Sequence, residues 1–214
     1  MQTDNSANRN WLLDNSTDSE SVASYYDDWA ERYDEELGAW DYRSPAEAAR
    51  LLARYAGSES KVLDAGCGTG LSGQALAALG FRDIVGADIS SVSLELSRTR
   101  DVYSQLHQLD LHSLPLPFEA NAFDALTCVG VLTYVDQVAA TLEEFCRLVR
   151  PAGHIVFTCR DDLYQSRGYP ELLNELSDAG RWQLKYRSPP SPYLPENEDF
   201  AETIQVIYFV YQTS

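Results

Sequence analysis

Hydrophobic positions recur along this chain with two different periods, and the change between them divides it. From residue 21 to 37, Val22, Tyr26, Trp29, Ala30, Tyr33 and Leu37 stand three or four apart, the spacing of one helix face. Ser44-Pro45-Ala46-Glu47 then joins an N-cap, a proline at the first helical position and a capping-box glutamate. A second helix is expected from there through Tyr55, ended by Gly57. Beyond Gly57, short apolar runs at 61–65, 84–87, 103–109, 122–129 and 154–159 read as strands. Helical stretches at 71–79, 92–98, 137–149 and 170–179 alternate with them, the pattern of a parallel sheet covered on both faces. The last two runs, 182–186 and 203–211, are separated by Pro189, Pro190, Pro192 and Pro195 instead of a helix. They are expected to pair antiparallel across a long loop. The organisation predicted is a polar tail over 1–18, a helical lid over 19–57 and a single core domain over 58–214.

Composition narrows the class. The chain has 214 residues, 44% of them hydrophobic, enough for a sizeable core. Its 33 acidic against 16 basic residues give a net charge of −17, a surface that repels phosphate backbones, so nucleic acid and anionic membranes are poor partners. No apolar run approaches the ~20 residues a bilayer span needs, and the polar start, Met-Gln-Thr-Asp-Asn-Ser, is unlike a secretory signal. Cys67, Cys128, Cys146 and Cys159 form no CxxC pair or disulfide framework, which suits a reducing cytoplasm.

The chemistry concentrates in Val62-Leu63-Asp64-Ala65-Gly66-Cys67-Gly68-Thr69-Gly70, where a strand feeds a glycine-rich turn that opens a helix. Glycines there admit positive φ and let backbone approach a ligand, while free helix N–H groups point outward. Gly68-Thr69-Gly70-Leu71-Ser72-Gly73 also fits GxGxxG, with Asp88 twenty residues after Gly68, the spacing of a dinucleotide site. An NAD(P)-dependent oxidoreductase is therefore one reading. Two carboxylates favour another. Asp64, at the end of the first strand, suits a cationic amine or sulfonium better than a pyrophosphate, and Asp110-Leu111 adds a further acid at the end of the third strand.

At these residues the chain resembles the class I S-adenosylmethionine-dependent methyltransferases, from about Tyr25 to the final hairpin. The resemblance implies a Rossmann-like α/β fold: a seven-stranded, mostly parallel sheet with one antiparallel strand, helices on both faces and an N-terminal lid. Residues 64–70 match the family's first motif, implying that Asp64, Gly66, Cys67 and Gly68 hold the methionine part of the cofactor. Asp88 and Ile89 match the second, on ribose and adenine, and Asp110 and Leu111 the third, on the adenine edge and ring. Residues 123–129 look like the fourth strand, bringing Cys128 and Val129 to the methionine end. Arg150-Pro151-Ala152-Gly153 is similar to the turn before the fifth strand, with Ala152 where glycine is more usual. Residues 25–34 and 42–45 look like the lid of Williams–Beuren syndrome region methyltransferase-like proteins, which implies that Tyr26, Trp29, Tyr33 and Tyr42 close over the cofactor. An amphipathic helix with merely core aromatics would show the same spacing.

The activity implied is methyl transfer from S-adenosylmethionine to a small-molecule acceptor; a non-catalytic S-adenosylmethionine-binding protein would carry the same cofactor motifs. No residue is assigned as catalytic, with Tyr134, His154 and Asp161 the available bases. Asp161, Asp162 and Tyr164, after the fifth strand, either touch an acceptor or form a solvated loop. His107 and His112 flank Asp110, but an odd separation puts His107 and Asp110 on opposite strand faces, so no metal is expected. Cys67 sits beside a helix N-terminus, a place that lowers a thiol pKa, or simply fits a crowded turn. The acids of the first helix, Asp27, Asp28, Glu31, Asp34, Glu35 and Glu36, read as a solvated face.

Overall fold

A computed structural model describes residues 16–201 and 203–214; the Trp11-Leu12-Leu13 island lies outside them. Two helices come first, α1 (Ser19–Ala39) and α2 (Ser44–Leu52). Then follow β1 (Lys61–Ala65), α3 (Leu71–Ala78), β2 (Asp83–Asp88), α4 (Ser91–Thr99), β3 (Gln105–Gln108) and β4 (Phe123–Cys128). A 3-10 turn at Leu132–Tyr134 leads to α5 (Val138–Leu148), β5 (Val149–Arg160), α6 (Asp161–Ser166) and α7 (Tyr169–Asp178). The chain closes with β6 (Trp182–Arg187), β7 (Ser191–Pro192) and β8 (Gln205–Thr213).

The sheet runs β3-β2-β1-β4-β5-β8-β6, with β7 also pairing β8. β1 to β5 are mutually parallel, and β8 enters between β5 and β6 antiparallel to both. The expected mixed sheet is therefore present with eight strands instead of seven. The extra one is the two-residue β7, where Pro192 pairs with Gln205 inside the proline-rich loop. A proline there withholds one donor, which an edge position tolerates.

Alternation along each strand sorts the core onto two faces. Val62, Ile84, Ala125, Val156 and Val210 face α2 and α3, whose Ala48, Leu52 and Leu76 are fully buried against them. Leu63, Val85, Leu126, Ile155 and Phe209 face the α5 and α7 side. On that side Phe157 stacks on Phe209, Trp182 and Tyr211 at centroid distances of 5.1, 6.1 and 5.9 Å. A third, smaller cluster joins Trp29, Leu37 and Trp40 of the N-terminal segment to Leu194, Phe200 and Ile204 of the loop before β8.

Several local expectations are corrected. Ser44 is the first residue of α2, not its side-chain cap: its hydroxyl accepts from the Tyr208 phenol at 3.0 Å, while Glu47 pairs with Arg50. That helix ends at Leu52, short of the expected Tyr55, and packs on the sheet. The loop expected after β5 is the short helix α6. Ala152 does take the glycine-like conformation of its turn, at φ 62°.

Phe157→Ala would open a void among three stacked rings. It should cost about 3–5 kcal/mol, read as a lowered urea midpoint without a change in slope.

Candidate active site

In a doubly wound sheet the chain travels outward in opposite directions from two central neighbours, and their carboxyl ends leave a crevice. Here those neighbours are β1 and β4, and the crevice is a cleft of about 750 Å³ including its open mouth. The turn after β1 forms one wall, with Gly66 at φ 76° and Gly68 at φ 52°. A Cβ on Gly66 would lie 2.2 Å from Val131 Cγ2, so the turn and the segment after β4 meet only because Gly66 has none. A Cβ on Gly68 would meet nothing within 4 Å, which leaves bare backbone facing the cleft.

Two carboxylates mark the nucleoside-sized end. Asp88, at the tip of β2, accepts Gly68 N–H on Oδ2 at 2.7 Å and Ser90 N–H on Oδ1 at 2.9 Å. Burial raises its pKa, and the backbone donors of Ser90, Gly68 and Ile89 oppose that rise. Asp110 accepts from the His112 backbone at 2.9 Å. Burial alone would raise its pKa, but hydrogen bonds from the His112 backbone, Ser19 and the His112 ring hold it below the ordinary value. The cleft is also phenolic. Tyr26, Tyr33 and Tyr134 line it, with Tyr26 and Tyr134 rings 5.6 Å apart. Burial pushes the Tyr26 and Tyr33 phenols far up, so both stay neutral.

The arrangement suits an adenosyl sulfonium. Two acceptor carboxylates stand at separate strand tips, bare glycine backbone and phenols share the lining with them, and no Lys or Arg of the described residues lines the wall where a pyrophosphate would want one.

Comparison with known proteins agrees. Residues 63–157 match the model of the Methyltransf_11 family, described as a methyltransferase domain. The chain is 31% identical over 165 residues to methyltransferase-like protein 27 of Homo sapiens, covering 74% of this chain and 67% of that one. The chain belongs to the class I S-adenosylmethionine-dependent methyltransferases. It is also 32% identical over 102 residues to the ubiquinone biosynthesis O-methyltransferase of Alkalilimnicola ehrlichii, covering 46% of this chain and 40% of that enzyme. Among solved structures, geranyl diphosphate C-methyltransferase from Streptomyces coelicolor A3(2) superposes with a TM-score of 0.68 at 16% identity, over 92% of this chain and 98% of that one. The last likeness shows the fold alone.

Of the residues singled out from sequence, Tyr26, Tyr33, Gly66, Gly68, Asp88, Ile89, Asp110, Leu111 and Val129 line this methyltransferase's cleft. Five others stand behind the wall. Trp29 is buried and donates its indole N–H to Glu36 Oε2 at 2.7 Å. Tyr42 packs on Tyr193, with its hydroxyl over Gly130. Cys128 is fully buried in the core. Cys67 is buried against Gly86, and burial with nearby Asp88 and Asp64 pushes its thiol well up, so the helix N-terminus does not activate it. Asp64 is fully buried beneath the turn, where it accepts from Tyr103 at 2.8 Å and Thr127 at 3.0 Å.

Among the suggested bases, only Tyr134 reaches the cleft. His154 lies along the Tyr55 ring, and Asp161 accepts Gln205 N–H at 2.7 Å. Asp162 pairs with Arg160, and Tyr164 lies under the Arg187 guanidinium. His107 bonds Gln105 while His112 bonds Asp110, and among the described residues no cluster could hold a metal ion.

Sequence reasoning missed the fastening of α1. Asp27 accepts from Ser90 Oγ at 2.6 Å and from Val92 N–H at 3.1 Å, at the open end of α4. Asp34 accepts from Thr69 Oγ1 at 2.6 Å and pairs with Arg100, which also donates to the Thr69 carbonyl. Asp27 and Glu36 are therefore drawn out of the solvated face, while Asp34 is bonded but keeps an exposed side chain. The missing signal for Asp27 and Asp34 was non-local: their partners lie between 35 and 66 residues away.

Two tests follow from this geometry. Asp27→Ala should free α1 from α4, raising amide exchange and protease cleavage within residues 19–39 while the sheet stays protected. Burial raises the Asp64 pKa from 3.8 to about 6, against the bonds from Tyr103 and Thr127. A raised carboxyl pKa means the folded state holds its proton longer, so Asp64 lowers stability as pH rises from about 4 to 6. Asp64→Asn should therefore gain stability relative to the parent across that window, by at most about 3 kcal/mol, and keep a constant advantage above it, measured by urea titration at several pH values.

Proposed function

We propose that this methyltransferase acts on a small-molecule acceptor, held between α1 and the phenolic lining of its cleft. The support is the lining of the cleft, which joins Asp88 and Asp110 with Tyr26, Tyr33 and Tyr134, and α1 fastened beside it by Asp27 and Asp34. Such a covered chamber suits an acceptor that can be enclosed. The matched relative named for ubiquinone biosynthesis points the same way.

Asp88 would hold the ribose hydroxyls and Asp110 the adenine amino group, while the backbone from Gly66 to Gly68 would take the methionine part. When bound, S-adenosylmethionine supplies an electrophilic methyl group on a positively charged sulfur, already a good leaving group. The protein's share is then alignment and exclusion of water, which can supply several kcal/mol. Neutral Tyr26 and Tyr33 offer hydroxyls to orient an acceptor, and their raised pKa values keep them from serving as bases. Four cysteines without a disulfide are consistent with work in the cytoplasm.

Calorimetry with S-adenosylmethionine, S-adenosylhomocysteine and NAD tests the cofactor assignment; binding of NAD alone would overturn it. Asp88→Ala should weaken S-adenosylhomocysteine binding by roughly 1–3 kcal/mol, because bonds to a charged acceptor are lost. The acceptor class is tested by following S-adenosylhomocysteine release with panels of small phenols, carboxylic acids and amines beside peptides. Turnover confined to peptides would refute the small-molecule reading.

A further inference from the structure

His112 plays no part in the assignments above, yet it joins three segments at the mouth of the cleft. Its Nδ1 lies 3.0 Å from Asp110 Oδ1 and 3.0 Å from Ser19 Oγ, in the first turn of α1. Its Nε2 lies 3.3 Å from the Asp136 backbone N and 3.2 Å from Asp136 Oδ1. Gln137 Nε2 donates to its carbonyl at 2.6 Å. Ser19, Asp110 and His112 all line the nucleoside end.

Carboxylates face the imidazole from both sides, Asp110 at Nδ1 and Asp136 at Nε2. A carboxylate only accepts, so the bond to Asp110 requires a proton on Nδ1, and the Nε2 lone pair is then free to take the Asp136 backbone N–H. The His112 backbone and ring together occupy Asp110 Oδ1, which fixes the carboxylate's rotation about its own bond.

We infer that His112 is a positioning residue for cofactor binding: through Nδ1 it orients Asp110, and together with Asp110 it holds Ser19 at the start of α1 beside the nucleoside end. This rests on the assignment of the cleft to S-adenosylmethionine. Its role is indirect, acting through Asp110 and Ser19.

Calorimetric titration with S-adenosylhomocysteine, alongside the ligand-free melting temperature, tests the inference. His112→Ala should weaken binding about tenfold, since a bond to a charged acceptor and the α1 tether are both lost. Asn places an amide near the position of Nδ1, and Gln places one near Nε2. His112→Asn should therefore restore most of the affinity and His112→Gln little of it. Equal affinities for the parent and His112→Ala would overturn the inference, as would rescue by Gln instead of Asn. Affinity that merely follows melting temperature across the set would also overturn it, as a general packing role. Failure of the parent itself to bind S-adenosylhomocysteine would remove the cofactor assignment and this inference with it.

Discussion

The cleft depends on one close approach. Gly66 and Val131 belong to turns that leave adjacent strands and head to opposite faces of the sheet, and they meet with no room for a Cβ between them. That contact brings the backbone after β1 and after β4 to the same floor. Asp88 then pins the turn from its other side through Gly68 N–H. The floor of the cleft is therefore set by the missing Gly66 side chain, with Val131 packed against bare backbone, and carboxylates and phenols are arranged around it.

Burial sets the electrostatics. Asp64 and Asp88 are both pushed toward protonation by loss of water, and each is drawn back by donors: two hydroxyls for Asp64, and backbone N–H groups for Asp88. The difference matters. Asp64 gives both oxygens to the protein's own hydroxyls and serves the turn from beneath, whereas Asp88 stands on the cleft wall, where a carboxylate oxygen can accept more than one bond. Helix α1 adds two further acids, and their partners, Ser90, Val92, Thr69 and Arg100, belong to the very segments that form the nucleoside end. A strongly acidic chain thus spends part of its charge on internal fastening.

Much of this was legible because it is local. The glycine-rich turn, the acid at each strand tip and the alternation of strand and helix are all written within spans of ten to thirty residues. The antiparallel pairing of β6 with β8 followed from the absence of a helix between them. What stayed hidden depends on distant partners. Asp27 and Asp34 look identical in sequence to Asp28 and Glu35, and only docking on α4 separates them. Trp29 shares the helical spacing of Tyr26 and Tyr33, yet it is buried in the cluster with the loop before β8 and does not line the cleft. Ser44 carries every mark of a cap, but the Tyr208 phenol, 164 residues on, takes its hydroxyl.

The small cluster of Trp29, Leu37 and Trp40 with Leu194, Phe200 and Ile204 separates roof from floor. Half of its apolar contact comes from a segment that sits outside the two main core faces, so its residues are released from the packing that constrains the sheet. Evolution can therefore redraw the roof by trading side chains between these two stretches, one compensating the other, while the floor is left alone. A lineage of such proteins would diversify in what it admits long before it changed what it keeps in place.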